Sequence, residues 1–150
     1  MKVILAETAG FCYGVERAVN LARETAKARG GAMLGSIVHN AGVVREIEDL
    51  GMRLITSPDQ AKAGETVLIR AHGEKKQVIG HLKDIGAECV DATCPNVLRV
   101  QQIVAQADAE GRIPIIIGDP NHPEVMGVAS WSARSVVFEG AEALQRWLDE

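Results

Sequence analysis

Cys89-Val90-Asp91-Ala92-Thr93-Cys94-Pro95-Asn96-Val97-Leu98 is the stretch on which the reading of the fold turns. A short β-compatible run stops at a thiol, a proline takes the first helical position, and a helix-like segment follows to residue 109. Proline suits that position because the N–H it lacks would be unpaired anyway and its φ already fits a helix. The same order recurs along the chain. Residues 3–6 lead to Cys12, 33–38 to His39, 67–71 to His72 and 113–117 to His122, each with a helix candidate behind it. Alternating strand and helix predicts parallel pairing with right-handed crossovers, and open α/β sheets bind ligands beyond the carboxyl ends of their strands. Two thiols and three imidazoles are therefore expected to converge on one crevice suited to a metal, an anion, or both.

The spacing predicts helices over 15–28, 41–50, 75–85, 96–109, 123–130 and 141–148. Gly30-Gly31, Gly51, Gly86 and Gly111 each follow one of them, where a left-handed cap ends a helix. A further strand is expected at 135–138; it carries no candidate ligand and serves packing. The fold class expected is α/β, built of alternating strand–helix units with parallel sheets. A complete first unit would span 1–95 and a partial second 96–150, with no low-complexity linker between them.

Composition narrows the function classes. With 150 residues, 47% apolar and 24% charged, the chain can bury roughly 70% of its unfolded surface, enough for a core without staples. Aromatics at 3% and a net charge of −4 argue against a base-stacking platform or a nucleic-acid partner. No apolar stretch approaches the length of a membrane span, and the start of the chain lacks a signal peptide's apolar region. Three cysteines without an export signal point to the reducing cytoplasm and to thiols kept for chemistry.

Cys12 lies in Gly10-Phe11-Cys12-Tyr13-Gly14, between strand and helix. The partial positive charge of a helix N-terminus favours its thiolate, the state a metal or sulfide cluster requires. Cys94 duplicates that setting, whereas Cys89 opens a strand and reads as a packed structural thiol. No compact zinc-ligand spacing is present. His39, His72 and His122, each just before a helix, suit an anion cradled by imidazoles and helix amides. Glu124, two residues beyond His122, reaches the same crevice and fits a proton donor, although glutamate in a first helical turn also simply complements the dipole. Thr93 offers a hydroxyl to the same place, with helix capping as the plainer reading, and His81 is expected to face solvent.

These residues resemble a known family, the 4-hydroxy-3-methylbut-2-enyl diphosphate reductases, the iron–sulfur enzymes that end the non-mevalonate isoprenoid route. The matching stretches are Ala9-Gly10-Phe11-Cys12-Tyr13-Gly14-Val15-Glu16-Arg17-Ala18, His39-Asn40, Arg70-Ala71-His72-Gly73, Asp91-Ala92-Thr93-Cys94-Pro95 and Asn121-His122-Pro123-Glu124-Val125. The resemblance implies a [4Fe–4S] cluster with Cys12 and Cys94 as two of its ligands. It implies diphosphate binding by His39, His72 and His122, proton delivery by Glu124, and a ferredoxin- or flavodoxin-type electron donor. The reaction it implies is reductive removal of an allylic hydroxyl as water, giving isopentenyl and dimethylallyl diphosphates.

The family carries a third cysteine in a last unit that has no match here, so the expectation is two recognised ligands and part of a substrate cage. Three accounts follow: a fragment or shortened relative, a homodimer whose Cys12 and Cys94 pairs share a cluster, or Cys89 as the replacement ligand. Two rival classes stand beside the reductase. One is a module that binds a cluster or a diphosphate without turnover; the other is a mononuclear zinc hydrolase using Cys, His and Glu124.

Overall fold

Small residues at helical spacing decide how the first layer forms. In the computed structural model, which describes residues 1–7 and 9–150, helix α1 (Tyr13–Ala28) buries Ala18, Val19, Ala22 and Ala26 on one face. It is followed by β1 (Gly31–Leu34), α2 (Ala41–Asp49), β2 (Met52–Ile55), β3 (Thr66–Ile69), α3 (Lys76–Ile85) and β4 (Glu88–Asp91). The four strands form one parallel sheet in the order β2-β1-β3-β4. Central β3 is buried along its whole length, as a strand covered on both faces must be.

Strand alternation sorts the core onto the two faces. Met33 and Leu68 point toward α1 and α2, joining Ala18, Val19, Ala22, Val43, Val44 and Ile47. Their neighbours Ala32, Leu34, Val67 and Ile69 point the other way, joining Leu82 of α3. Gly86 closes α3 in the left-handed conformation at φ 82°, the stop its position predicts.

Beyond Cys94 come α4 (Pro95–Ala109), β5 (Ile115–Ile117), α5 (Pro123–Ala129), β6 (Val136–Phe138) and α6 (Ala141–Asp149). β5 and β6 make a parallel two-stranded sheet. Its core is small: Val97, Val104 and Val128, with Cys94, Ile116 and Trp131 packed against them. Phe138 and Trp147, with ring centroids 5.6 Å apart, dock α6 on β6. The alternating α/β class with parallel sheets is thus the observed one. No helix among the described residues is long and apolar enough to cross a membrane.

One expected strand is absent. Residues 3–6 pair with no strand, and Val3, Ile4 and Leu5 are 79%, 77% and 83% exposed. An apolar run becomes a strand only when its backbone groups find a ladder, and here the position beside β1 belongs to another segment. The fourth strand is instead β2, Met52-Arg53-Leu54-Ile55, where Arg53 breaks the apolar run that the sequence reading relied on. Arg53 turns outward and pairs with Glu65, Nη2 to Oε2 at 2.7 Å.

Candidate functional site

Hydrogen bonds that continue past the strand ends gather the site. The Ala71 N–H donates to the Ile37 carbonyl at 3.1 Å, and the Cys94 N–H donates to the Ala71 carbonyl at 2.9 Å. These two bonds tie together the loops leaving β1, β3 and β4. His39 lies two residues beyond Ile37, and His72 one beyond Ala71. Their ring centroids stand 4.4 Å apart, with planes tilted by 40°. His122, from the N-cap of α5, meets His72 edge-on at 6.2 Å. Three imidazoles distant in sequence therefore border one place.

Each ring is set by its own turn. Asn40 caps α2, its Oδ1 accepting from the Gly42 and Val43 N–H groups at 3.0 and 3.2 Å, which fixes the turn after His39. His122 caps α5, its Nδ1 accepting from the Glu124 N–H at 3.2 Å. Accepting there leaves the proton on Nε2, free to donate to an anion. His72 follows Arg70-Ala71 and precedes Gly73 at φ 76°, a conformation that favours glycine. Burial pulls the His72 imidazole below the usual histidine range, and His39, Arg70 and His122 add to that pull. The free site thus holds His72 neutral, and an anion would favour its protonated form.

The two cysteines are linked through α1. Cys12 is the N-cap of α1 and Cys94 the N-cap of α4, and neither side chain makes a capping hydrogen bond. A Cβ on Gly14 would lie 2.4 Å from Cys94 Sγ and 3.1 Å from its Cβ, so the sulfur rests on the first turn of α1, two residues from Cys12. Arg17 Nη1 donates to the Thr93 carbonyl at 3.1 Å and fastens the same junction. Each thiol thus stands at a helix N-terminus, a donor chemistry that suits cluster thiolates. The fit stops at two. Among the described residues no group of three or more His, Cys, Asp or Glu side chains stands close enough to hold a metal ion. Cys89 packs against the α3-side core with Ala32, Ile55 and Leu82, and burial pushes its thiol up, so it does not replace a third ligand.

Thr93 differs from its plainer reading. Cys94 caps α4, while Thr93 is buried with its Oγ1 and Cγ2 facing the space a Cβ on Gly73 would fill. Glu124 sits half-buried in the first turn of α5. His81 is exposed, as expected, and its Nε2 lies 2.8 Å from Asp59 Oδ1. Sequence reasoning passed over Arg70 and Glu74, which form a part-buried ion pair at 2.8 Å across the His72 turn. No helix covers 70–74, so their i,i+4 spacing carried no signal in the sequence.

Comparison with known proteins shows the family and the fold. The family model described as LytB protein matches residues 3–150. A 4-hydroxy-3-methylbut-2-enyl diphosphate reductase from Caldanaerobacter subterraneus subsp. tengcongensis is 40% identical over 136 residues, covering 87% of this chain and 47% of its own. One of the same name from Oleidesulfovibrio alaskensis is 43% identical over 148 residues, covering 97% of this chain and 53% of its own. A solved structure of (E)-4-hydroxy-3-methyl-but-2-enyl diphosphate reductase, the terminal enzyme of the non-mevalonate pathway, superposes with TM-score 0.83 at 35% identity. It covers 99% of this chain and 54% of that one. The E-1-hydroxy-2-methyl-but-2-enyl-4-diphosphate reductase of Plasmodium falciparum gives TM-score 0.88 at 29% identity, covering 93% and 45%. The chain spans about half the length of these relatives.

Proposed function

Since the chain belongs to the LytB protein family, we propose that it carries the two-cysteine, three-histidine portion of an iron–sulfur reductase acting on 4-hydroxy-3-methylbut-2-enyl diphosphate. The observation that carries this reading is the Cys94 sulfur lodged on Gly14, two residues from Cys12, in a chain whose three strand-end imidazoles also converge. Cys12 and Cys94 would hold a [4Fe–4S] cluster, which when bound supplies electrons and an open iron. The protein's own groups do the rest. His39, His72 and His122 bind and orient the diphosphate, with Nε2 of His122 as a donor. Glu124 delivers the proton that the departing hydroxyl takes up. An electron donor of the ferredoxin or flavodoxin type belongs to this reading, and so does the cytoplasm, where three free thiols stay reduced. Residues 1–95 and 96–150 serve in it as the first and second units.

A second reading is favoured by one observation: among the described residues no three His, Cys, Asp or Glu side chains stand close enough together to hold a metal ion. In it the chain binds a cluster or a diphosphate and turns nothing over by itself, or meets a second copy that brings further thiols. A mononuclear zinc site needs three protein ligands and has less support for the same reason. Anaerobic reconstitution followed by iron, sulfide and zinc assays, solution mass and turnover with a strong reductant tests all of these. Brown protein forming both isoprenoid diphosphates supports the reductase. A cluster-loaded sample without product refutes independent catalysis, and a colourless zinc protein refutes the iron–sulfur reading.

A further inference from the structure

Arg70 and Glu74 flank His72 symmetrically, two residues before and two after, and close the turn between them. Arg70 Nη2 donates to Glu74 Oε2 at 2.8 Å, and Arg70 Nε reaches the Gly73 carbonyl at 3.4 Å. The second Glu74 oxygen accepts the Lys75 N–H at 2.9 Å, where α3 begins. The side chains are 22% and 10% exposed. One other glycine makes room for the arrangement: a Cβ on Gly35 would stand 3.0 Å from Arg70 Nη1.

A buried ion pair is a poor source of net stability, because desolvation of the two charges offsets their attraction. What such a pair does supply is a single geometry for the backbone between its ends. We propose that Arg70 and Glu74 are positioning residues that clasp the turn and hold the His72 ring between His39 and His122 for the diphosphate. The proposal rests on the assignment of His72 to anion binding.

The sign of one measurement separates positioning from plain electrostatics. His39, Arg70 and His122 are the charged or titratable neighbours that act on His72 besides burial. In Glu74→Gln a nearby negative charge disappears, which by Coulomb's law alone lowers the His72 titration midpoint further. Release of the clasp has the opposite effect, because the ring moves toward water and regains an ordinary midpoint. Imidazole NMR of the full chain, with His81 as internal reference, is expected to show the midpoint rising. Inorganic diphosphate binding, followed by calorimetry, is expected to weaken about tenfold, the scale of one lost oriented hydrogen bond to a charged group. A midpoint that falls or stays in folded Glu74→Gln overturns the proposal. Should that variant not fold, Arg70→Met/Glu74→Leu replaces the pair by apolar side chains, an exchange that often preserves stability. Unchanged diphosphate affinity in that folded variant also overturns it. A wild-type chain that binds no inorganic diphosphate removes the functional assignment of His72, while the NMR sign still decides whether the clasp exists.

Discussion

Replacing Gly14 by alanine should reverse the usual sign of a glycine-to-alanine change in a helix. Gly14 lies in the first turn of α1 with no unusual φ, so propensity alone promises a gain of about 1 kcal/mol. The new methyl would instead fall 2.4 Å from Cys94 Sγ and 3.1 Å from its Cβ. That contact cannot be relieved at the far end of a flexible side chain, because Cys94 is short and its N–H is fixed to Ala71. Overpacking of this kind costs about 3 kcal/mol at the upper end of its usual range. Subtracting the propensity gain leaves a net loss of about 2 kcal/mol, or roughly 4–8 °C in Tm for a chain of this size. Gly80→Ala is the matched control: Gly80 is also helical, nothing lies within 4 Å of its would-be Cβ, and Tm should rise by roughly 2–4 °C. The assay is thermal unfolding of both variants without iron, then anaerobic reconstitution with iron per chain measured. A Gly14→Ala protein at least as stable as wild type, loading the same iron, would refute the placement of the Cys94 sulfur on α1.

Three further outcomes follow from the geometry. Because the folded-state His72 midpoint lies below its unfolded value, the unfolded chain binds more protons as pH falls from about 6.5. Its contribution to stability is therefore present above that pH and lost below it, and His72→Gln should flatten the acid side of a stability–pH profile; an unchanged slope counts against a buried neutral ring. Native alkylation at pH 7.5 should modify exposed Cys12 well before Cys89, whose packed thiol is pushed up, and peptide mass mapping that finds Cys89 reacting first contradicts this. Asn40→Ala removes two capping bonds from α2 and should cost about 1 kcal/mol, read as a lower urea midpoint; a midpoint equal to wild type would show that the cap contributes nothing.

The legible and illegible parts of the sequence differ for a physical reason. Helix stops at glycines, Pro95 at a helix start and the alternating order of elements are local features, and local chemistry produces them directly. Strand identity is not local. Residues 3–6 carry the better apolar run, yet Met52-Arg53-Leu54-Ile55 occupies the ladder position beside β1. Their composition does not record which segment finds a partner. The convergence of His39 and His72 was readable because they follow neighbouring strands of one sheet, β1 and β3, whereas His122 follows β5 of the separate sheet and joins them across it. The Arg70–Glu74 pair and the contact of Gly14 with Cys94 were not, since both depend on how loops cross after the sheet has formed.

Val3, Ile4 and Leu5 lie open to water only a few residues upstream of Cys12. Hiding a large aliphatic side chain is worth about 1.5–3 kcal/mol, so this short arm stores several times that amount as unspent adhesion. None of the three belongs to a core cluster, so polar side chains in their place would leave the packing of both sheets unchanged.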